Sequence, residues 1–207
     1  MPKTVIFVSS IRLPFFQLPP KAKRETVRRN FMTTYKYQDK LESNRLVTRF
    51  LTIEDIDIWA DFYADKDAVE FFPSFGLTTN IDRARHMIEK QLERYAKQRF
   101  GHQALIDKKT NNFVGVCGLL TQEVDGILEI EVGYHIFKNY WGQGFAPEAA
   151  KLFINYAFDN NITNSIISVI DIGNVKSQKV AEKNGLTREK QTTYTDHEEV
   201  YVYRIIK

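Results

Sequence analysis

The sequence predicts a single mixed α/β (α+β) domain: a twisted, mostly antiparallel sheet flanked by helices, with one parallel pair of strands near its middle. Three observations predict it. Residues 103 to 137 hold three alternating or β-branched runs separated by short turns, the pattern of an antiparallel meander. The last of these runs passes through a glycine-containing loop into an amphipathic helical run and then into the β-branched stretch Ser165 to Ile170. The chain has 207 residues, 43% apolar and 27% charged, which suits one domain with an appendage. No uninterrupted apolar stretch reaches membrane-spanning length, so a soluble protein is expected.

The appendage comes first. Residues 1–31 carry seven basic residues (Lys3, Arg12, Lys21, Lys23, Arg24, Arg28, Arg29) against Glu25, a net +6, so the rest of the chain carries −3 of the total +3. Pro2, Pro14, Pro19 and Pro20 interrupt this stretch and argue against a folded helix or a secretory core segment. It reads as a basic extension that is disordered or not native. Three readings stand, in order: an upstream in-frame extension with Met32 as the true start, an organelle presequence, and a nucleic-acid or membrane-surface arm.

The folded domain is expected over 42–207. Asn44 to Leu51 alternates as a strand, and Thr52-Ile53-Glu54-Asp55 resembles a capping box opening a helix with Ile56, Trp59, Ala60 and Tyr63 on one face. Asp65 to Thr79 includes the aromatic cluster Phe71-Phe72-Pro73-Ser74-Phe75-Gly76, either a pocket wall or a cap on the core. Asn80 is expected to cap a long helix with the stripe Ile81, Ala84, Ile88, Leu92 and Tyr95; His86 reads as a surface histidine. Strands follow at Gln103 to Asp107 and Phe113 to Leu120, with a turn near Asp125-Gly126. Cys117, the one cysteine, falls inside the second of these as a small core residue; it forms no internal disulfide, and a reducing, cytoplasmic setting fits best.

Ile127 to Phe137 alternates next. One face is apolar, from Leu128, Ile130, Val132, Tyr134 and Ile136, and the other carries Glu129, Glu131 and His135. A helix starting near Pro147, with the stripe Ala149, Leu152, Phe153, Tyr156 and Ala157, lies beyond the loop Tyr140-Trp141-Gly142-Gln143-Gly144-Phe145-Ala146. Small residues between a strand and a helix leave backbone N–H groups unpaired and let a ligand approach the main chain. The helix dipole adds to those donors, so a phosphate or pyrophosphate is the natural guest. Two glycines one residue apart are a weak signal alone. After the helix, Ser165 to Ile170 is a strand, Asn174 begins a helix that Gly185 ends, and Thr187 to Thr193 and Glu199 to Ile206 are strands. The four histidines are scattered, so no metal site is expected.

Around that loop the residues resemble the GNAT superfamily of acyl-CoA-dependent N-acyltransferases, whose central motif follows a strand. Trp141-Gly142-Gln143-Gly144-Phe145-Ala146, followed by Glu148 and Ala149, is similar to the branch containing the ribosomal-protein-alanine N-acetyltransferases. So is Asn174-Val175-Lys176-Ser177 followed by Lys183-Asn184-Gly185-Leu186, and together the motifs cover about residues 42 to 207. The resemblance implies a GNAT-like fold with acetyl-CoA as co-substrate and no metal. It implies that Gly142 to Ala146, with Trp141, grips the pyrophosphate, that main-chain groups near Ile136 and Phe137 pair with the coenzyme's amide-bearing arm, and that Asn174, Ser177 and Lys183 are further contacts.

Acyl transfer to an amine needs a held donor, a neutral nucleophile and stabilised charge at the carbonyl. A protonated amine cannot attack, so a base is required. Glu131 matches the position where many members carry that base; Glu129 is second choice, His135 shares the face and could orient a water, and the alternative for both glutamates is a solvent face. The superfamily's usual proton-donating tyrosine falls at position 181, which here is Ala181, leaving Ser177 or water for the departing thiolate. Capping of the helix is the plain alternative for Asn174 and Ser177, compatible with both roles. The expected function is an N-acetyltransferase moving an acetyl group from acetyl-CoA to a primary amine, a protein N-terminus or a small molecule, by direct transfer in a ternary complex. The alternative is a non-catalytic coenzyme-A-binding sensor or scaffold. Expected partners are acetyl-CoA and an amine acceptor, with no nucleic acid or membrane, in a monomer or homodimer.

Overall fold

Period-two alternation makes the sheet and 3.6-residue periodicity makes its cover. The computed structural model describes residues 36–72, 76–194 and 199–207, and the basic extension lies outside them. The described residues form seven strands and four α-helices: β1 (Leu46–Arg49), α1 (Ile56–Ala64), α2 (Asn80–Ala96), β2 (His102–Asp107), β3 (Phe113–Val124), β4 (Ile127–Ile136), α3 (Phe145–Asp159), β5 (Ser165–Asp171), α4 (Val175–Lys183), β6 (Thr187–Thr193) and β7 (Glu199–Ile206). Strand order is β1-β2-β3-β4-β5-β7-β6. Every pairing is antiparallel except β4 with β5.

The predicted meander is present. β3 and β4 form a hairpin in register from Gly115↔Ile136 to Val124↔Ile127. Its two-residue turn has φ of 50° at Asp125 and 78° at Gly126, the left-handed pair that matches the twist of the flanking strands. Neighbouring residues of β2 enter different clusters, Leu105 with Phe153 of α3 and Ala104 with Trp59 and Ile88 of α1 and α2. The sheet is therefore covered on both faces. Trp59 is fully buried and stacks on Phe113 of β3 with ring centroids 5.9 Å apart, anchoring α1 to the sheet. Truncating such a residue costs about 3–5 kcal/mol.

Several boundaries move. The domain reaches back beyond residue 42, because Tyr37 is buried, donates from Oη to the Gly101 carbonyl (2.8 Å) and accepts from the Leu119 N–H (3.3 Å). Thr79, not Asn80, caps α2: its backbone is extended and its hydroxyl accepts the Asp82 N–H at 3.1 Å. Ile81 is exposed, and Met87 and Gln91 complete the buried stripe in its place. α3 starts at Phe145, two residues before Pro147, because left-handed Gly144 supplies its cap. Pro73, Ser74 and Phe75 of the aromatic cluster lie outside the described residues.

Candidate functional site

β4 and β5 share a single registered pair, Glu131↔Ile167, whereas the neighbouring β5–β7 ladder runs over seven. Past that pair side chains replace the ladder. The Ser168 hydroxyl donates to the Val132 carbonyl (3.2 Å), and the Val169 N–H donates to Oε1 of Glu131 (3.0 Å). Glu131 is thus a wedge at the apex of a split, its second oxygen accepting from the Gln122 amide at 2.7 Å. A cleft of about 800 Å³ opens there, lined by β4, the glycine loop, β5, α2 and the start of α4.

The wedge faces inward. Glu131 is 6% exposed, and burial raises its carboxyl above the ordinary value while hydrogen bonds from Val169 and Gln122 pull it back. Glu129, by contrast, is held by both terminal nitrogens of Arg204, at 2.9 and 3.2 Å, and does not line the cleft. Both of its carboxylate oxygens are engaged by that guanidinium. His135 lines the cleft four residues from Glu131, and burial lowers its imidazole to about 4, so it is neutral at physiological pH. It packs on Phe72 (ring centroids 4.4 Å) and His102 (5.1 Å). Gly133 gives His102 its room, because a Cβ there would stand 2.9 Å from the imidazole Nε2. Phe62, Tyr63 and Phe72 form the apolar wall of this end.

The other end is the glycine loop. Gly142 and Gly144 have φ of 74° and 81°, where a side chain costs roughly 1–2 kcal/mol. Among the described residues the N–H groups of Gly142, Gln143 and Gly144 have no hydrogen-bond partner. Those of Phe145 and Ala146 are the orphan donors of a helix start. Arg45 braces the loop from outside: it donates to the Gln143 carbonyl (2.9 Å) and to Glu148 (2.6 Å), and lies 4.3 Å over the Phe145 ring. Burial works against the Glu148 carboxylate, but hydrogen bonds from Ser43 and Arg45 outweigh it and hold its pKa below the ordinary value. The Gln143 side chain turns back to the Asn139 carbonyl at 2.9 Å, so the backbone of Gln143, not its amide group, faces a ligand.

The strand end is more committed than expected. The Phe137 N–H donates to Val114 (3.1 Å) and the Ile136 carbonyl accepts the Trp141 indole (2.7 Å), so neither is free. Antiparallel alternation with β3 instead turns the peptide edges of Val132, Tyr134 and Ile136 toward the split. Trp141 itself carries the Lys176 ammonium over its ring at 4.2 Å. On α4, Asn174 caps the helix by accepting the Ser177 N–H at 3.0 Å, Ser177 lines the cleft, and Lys183 sits in the last turn on its rim. Ala181 is 2% exposed in the core and does not line the cleft. Nothing in the sequence marks Tyr134, Gln122 or Arg45 for the site. Tyr134 occupies one more apolar-face position, and the other two make contacts across strands and loops that only the fold brings together.

Among the described residues no helix is long and apolar enough to cross a membrane. The same residues include no group of three or more His, Cys, Asp or Glu side chains placed to hold a metal ion. The model of a family described as acetyltransferase (GNAT) domain matches residues 45–187. The chain is 27% identical over 177 residues to the uncharacterized N-acetyltransferase p20 of Bacillus licheniformis, covering 82% of this chain and 97% of that one. The acetyltransferase of Agrobacterium tumefaciens superposes with a TM-score of 0.69 at 23% identity, over 84% of this chain and 98% of its own. RimL, a ribosomal alpha-N-protein acetyltransferase solved with coenzyme A, superposes with a TM-score of 0.65 at 14% identity, over 79% and 95%.

Proposed function

The chain belongs to the GNAT acetyltransferase family, and from that premise we propose that it transfers the acetyl group of acetyl-CoA to a primary amine, by direct attack within a ternary complex. One observation carries the reading: the split between β4 and β5 runs from a buried carboxylate to a loop whose amide hydrogens lack partners. That arrangement fits the coenzyme. The unpartnered N–H groups from Gly142 to Ala146, at the positive end of α3, suit a diphosphate. The main-chain edge of Tyr134 and the Ile136 N–H, both turned toward the split, offer ladder-like pairing to the amide-bearing arm, with Phe137 ending the strand. Trp141, Asn174 and Lys183 flank the loop and the rim.

Chemistry then falls to two side chains. Glu131 accepts the proton of the incoming ammonium, directly or through water, as the nitrogen attacks the thioester carbonyl. Burial raises its pKa and so makes it a stronger base than an exposed glutamate, while hydrogen bonds from Val169 and Gln122 favour the ionised form. Neutral His135 adds no positive charge to repel an ammonium. Ser177, beside the cleft, donates a hydrogen bond to the sulfur as the thiolate departs. The similarity to RimL and to p20, both named as N-acetyltransferases, supports an amine as acceptor.

Two assays test the proposal. Calorimetry with coenzyme A should show binding that Gly144→Trp abolishes, and unchanged affinity in that variant would remove the loop from the account. Thiol release from acetyl-CoA across an amine panel that includes N-terminal peptides should find an acceptor. Binding without turnover on the whole panel would instead favour a non-catalytic sensor.

A further inference from the structure

The Tyr134 hydroxyl is a cleft group that this chemistry leaves unused. It projects from β4 beside the split, and its Oη lies 3.0 Å from both the carbonyl oxygen and the hydroxyl oxygen of Ser177. A phenol has one hydrogen and cannot donate to both oxygens at once. Two arrangements therefore fit the same heavy-atom positions. In the first, Tyr134 donates to the Ser177 carbonyl and the Ser177 hydroxyl donates back to Tyr134. In the second, Tyr134 donates to the Ser177 hydroxyl, whose own hydrogen is then free to point into the cleft. The two interconvert by rotating O–H bonds alone. Asn174 fixes the Ser177 backbone by accepting its N–H at 3.0 Å, so the serine stays in place while its hydroxyl turns.

We infer that Tyr134 is a positioning residue for the departing thiolate: it switches its hydrogen from the Ser177 carbonyl to the Ser177 hydroxyl, and so directs a reinforced O–H donor at the sulfur. The inference rests on the acetyl-transfer reading above and assigns the residue that acts where position 181 offers only a buried alanine. In the step itself the carbon–sulfur bond breaks and its electron pair goes to sulfur. Both hydroxyls keep their protons, the thiolate accepts one hydrogen bond, and the thiol proton comes from solvent as product leaves. The proton lost by the amine passes through Glu131 to solvent, so charge and atoms balance. Retention of the phenolic proton is consistent with burial, which raises the Tyr134 hydroxyl well above a coenzyme thiol. A donor that is itself hydrogen-bonded is a stronger donor, which is what the second arrangement gives Ser177.

The bound coenzyme's own thiol reports this without any acceptor. Thiolate absorbance of coenzyme A on the full chain, followed against pH, should show the thiol titrating lower than in free coenzyme A. Tyr134→Phe should raise that bound value by about 0.5–1 unit, the worth of one hydrogen bond, with a cooperative thermal unfolding transition as the check on folding. Ser177→Ala should raise it at least as much, and Tyr134→Phe should add nothing in that background. A bound thiol that titrates identically in wild type and Tyr134→Phe would overturn the inference, as would equal effects with and without Ser177. Failure of the wild type to bind coenzyme A would overturn the acetyl-transfer reading and this inference with it.

Discussion

Replacing Glu131 by glutamine tests the base assignment with the least disturbance to shape. The carboxylate accepts two hydrogen bonds, from Val169 at 3.0 Å and Gln122 at 2.7 Å. A glutamine oxygen can keep the first, and Gln122 can meet the new amide by turning its own, so the wedge survives at a cost of about 1 kcal/mol. What is lost is proton acceptance, worth about 10²- to 10⁴-fold, or roughly 3–5 kcal/mol of barrier. Steady-state thiol release should therefore show kcat falling about a hundredfold or more at neutral pH. Coenzyme A affinity should stay within about threefold by calorimetry, because the loop lies at the other end of the split. The deficit should shrink as pH approaches the amine's own pKa, where the nucleophile arrives already neutral. Stability should move with the opposite sense to activity. A carboxyl raised by burial favours folding below its unfolded value of about 4.5 and loses that contribution as pH rises through the folded value. Wild type should thus lose stability against Glu131→Gln on going upward through that window. Wild-type turnover in Glu131→Gln at neutral pH would refute the assignment.

Other expectations follow from the same contacts. Arg45→Ala removes the brace on Gln143, Glu148 and Phe145, and should weaken coenzyme A binding by about three- to tenfold while lowering stability by about 1 kcal/mol in thermal unfolding. Glu148 is held below its ordinary value, so its contribution is present above the unfolded pKa and fades as pH falls through the folded one; Glu148→Gln should flatten that acid limb of stability. Trp141 stands in the loop and Trp59 in the core, the only two tryptophans of the chain, so coenzyme A should change the emission of wild type but not of Trp141→Phe. Cys117 is buried and its thiol is raised by burial, so it should resist thiol reagents in the native state and react on unfolding.

Local chemistry made the fold legible. The Asp125-Gly126 turn, the Asn174 cap and the alternation of β4 each name their own conformation, and each stands where the residues placed it. Where a boundary slipped, two neighbours competed for one role: Thr79 and Asn80 both cap well, and the shorter hydroxyl took the Asp82 N–H. The candidate site was legible as a strand with acids leading to a glycine loop. The facing of Glu131 was not, because alternation assigns a side and cannot tell a solvent side from a split between two strands. Only the loss of ladder beyond Ile167 makes that face interior. Tyr134 escaped notice for a related reason: an aromatic at an apolar-face position carries no mark of the hydroxyl it meets 43 residues later.

The central claim is that the coenzyme lies in the split with its diphosphate on the loop amides. A crystal structure of the chain with coenzyme A tests it most directly. The account predicts phosphate oxygens within about 3 Å of the N–H groups between Gly142 and Ala146, and the arm running along Tyr134 and Ile136. Coenzyme A seated elsewhere, with those amides still unpartnered, would contradict it.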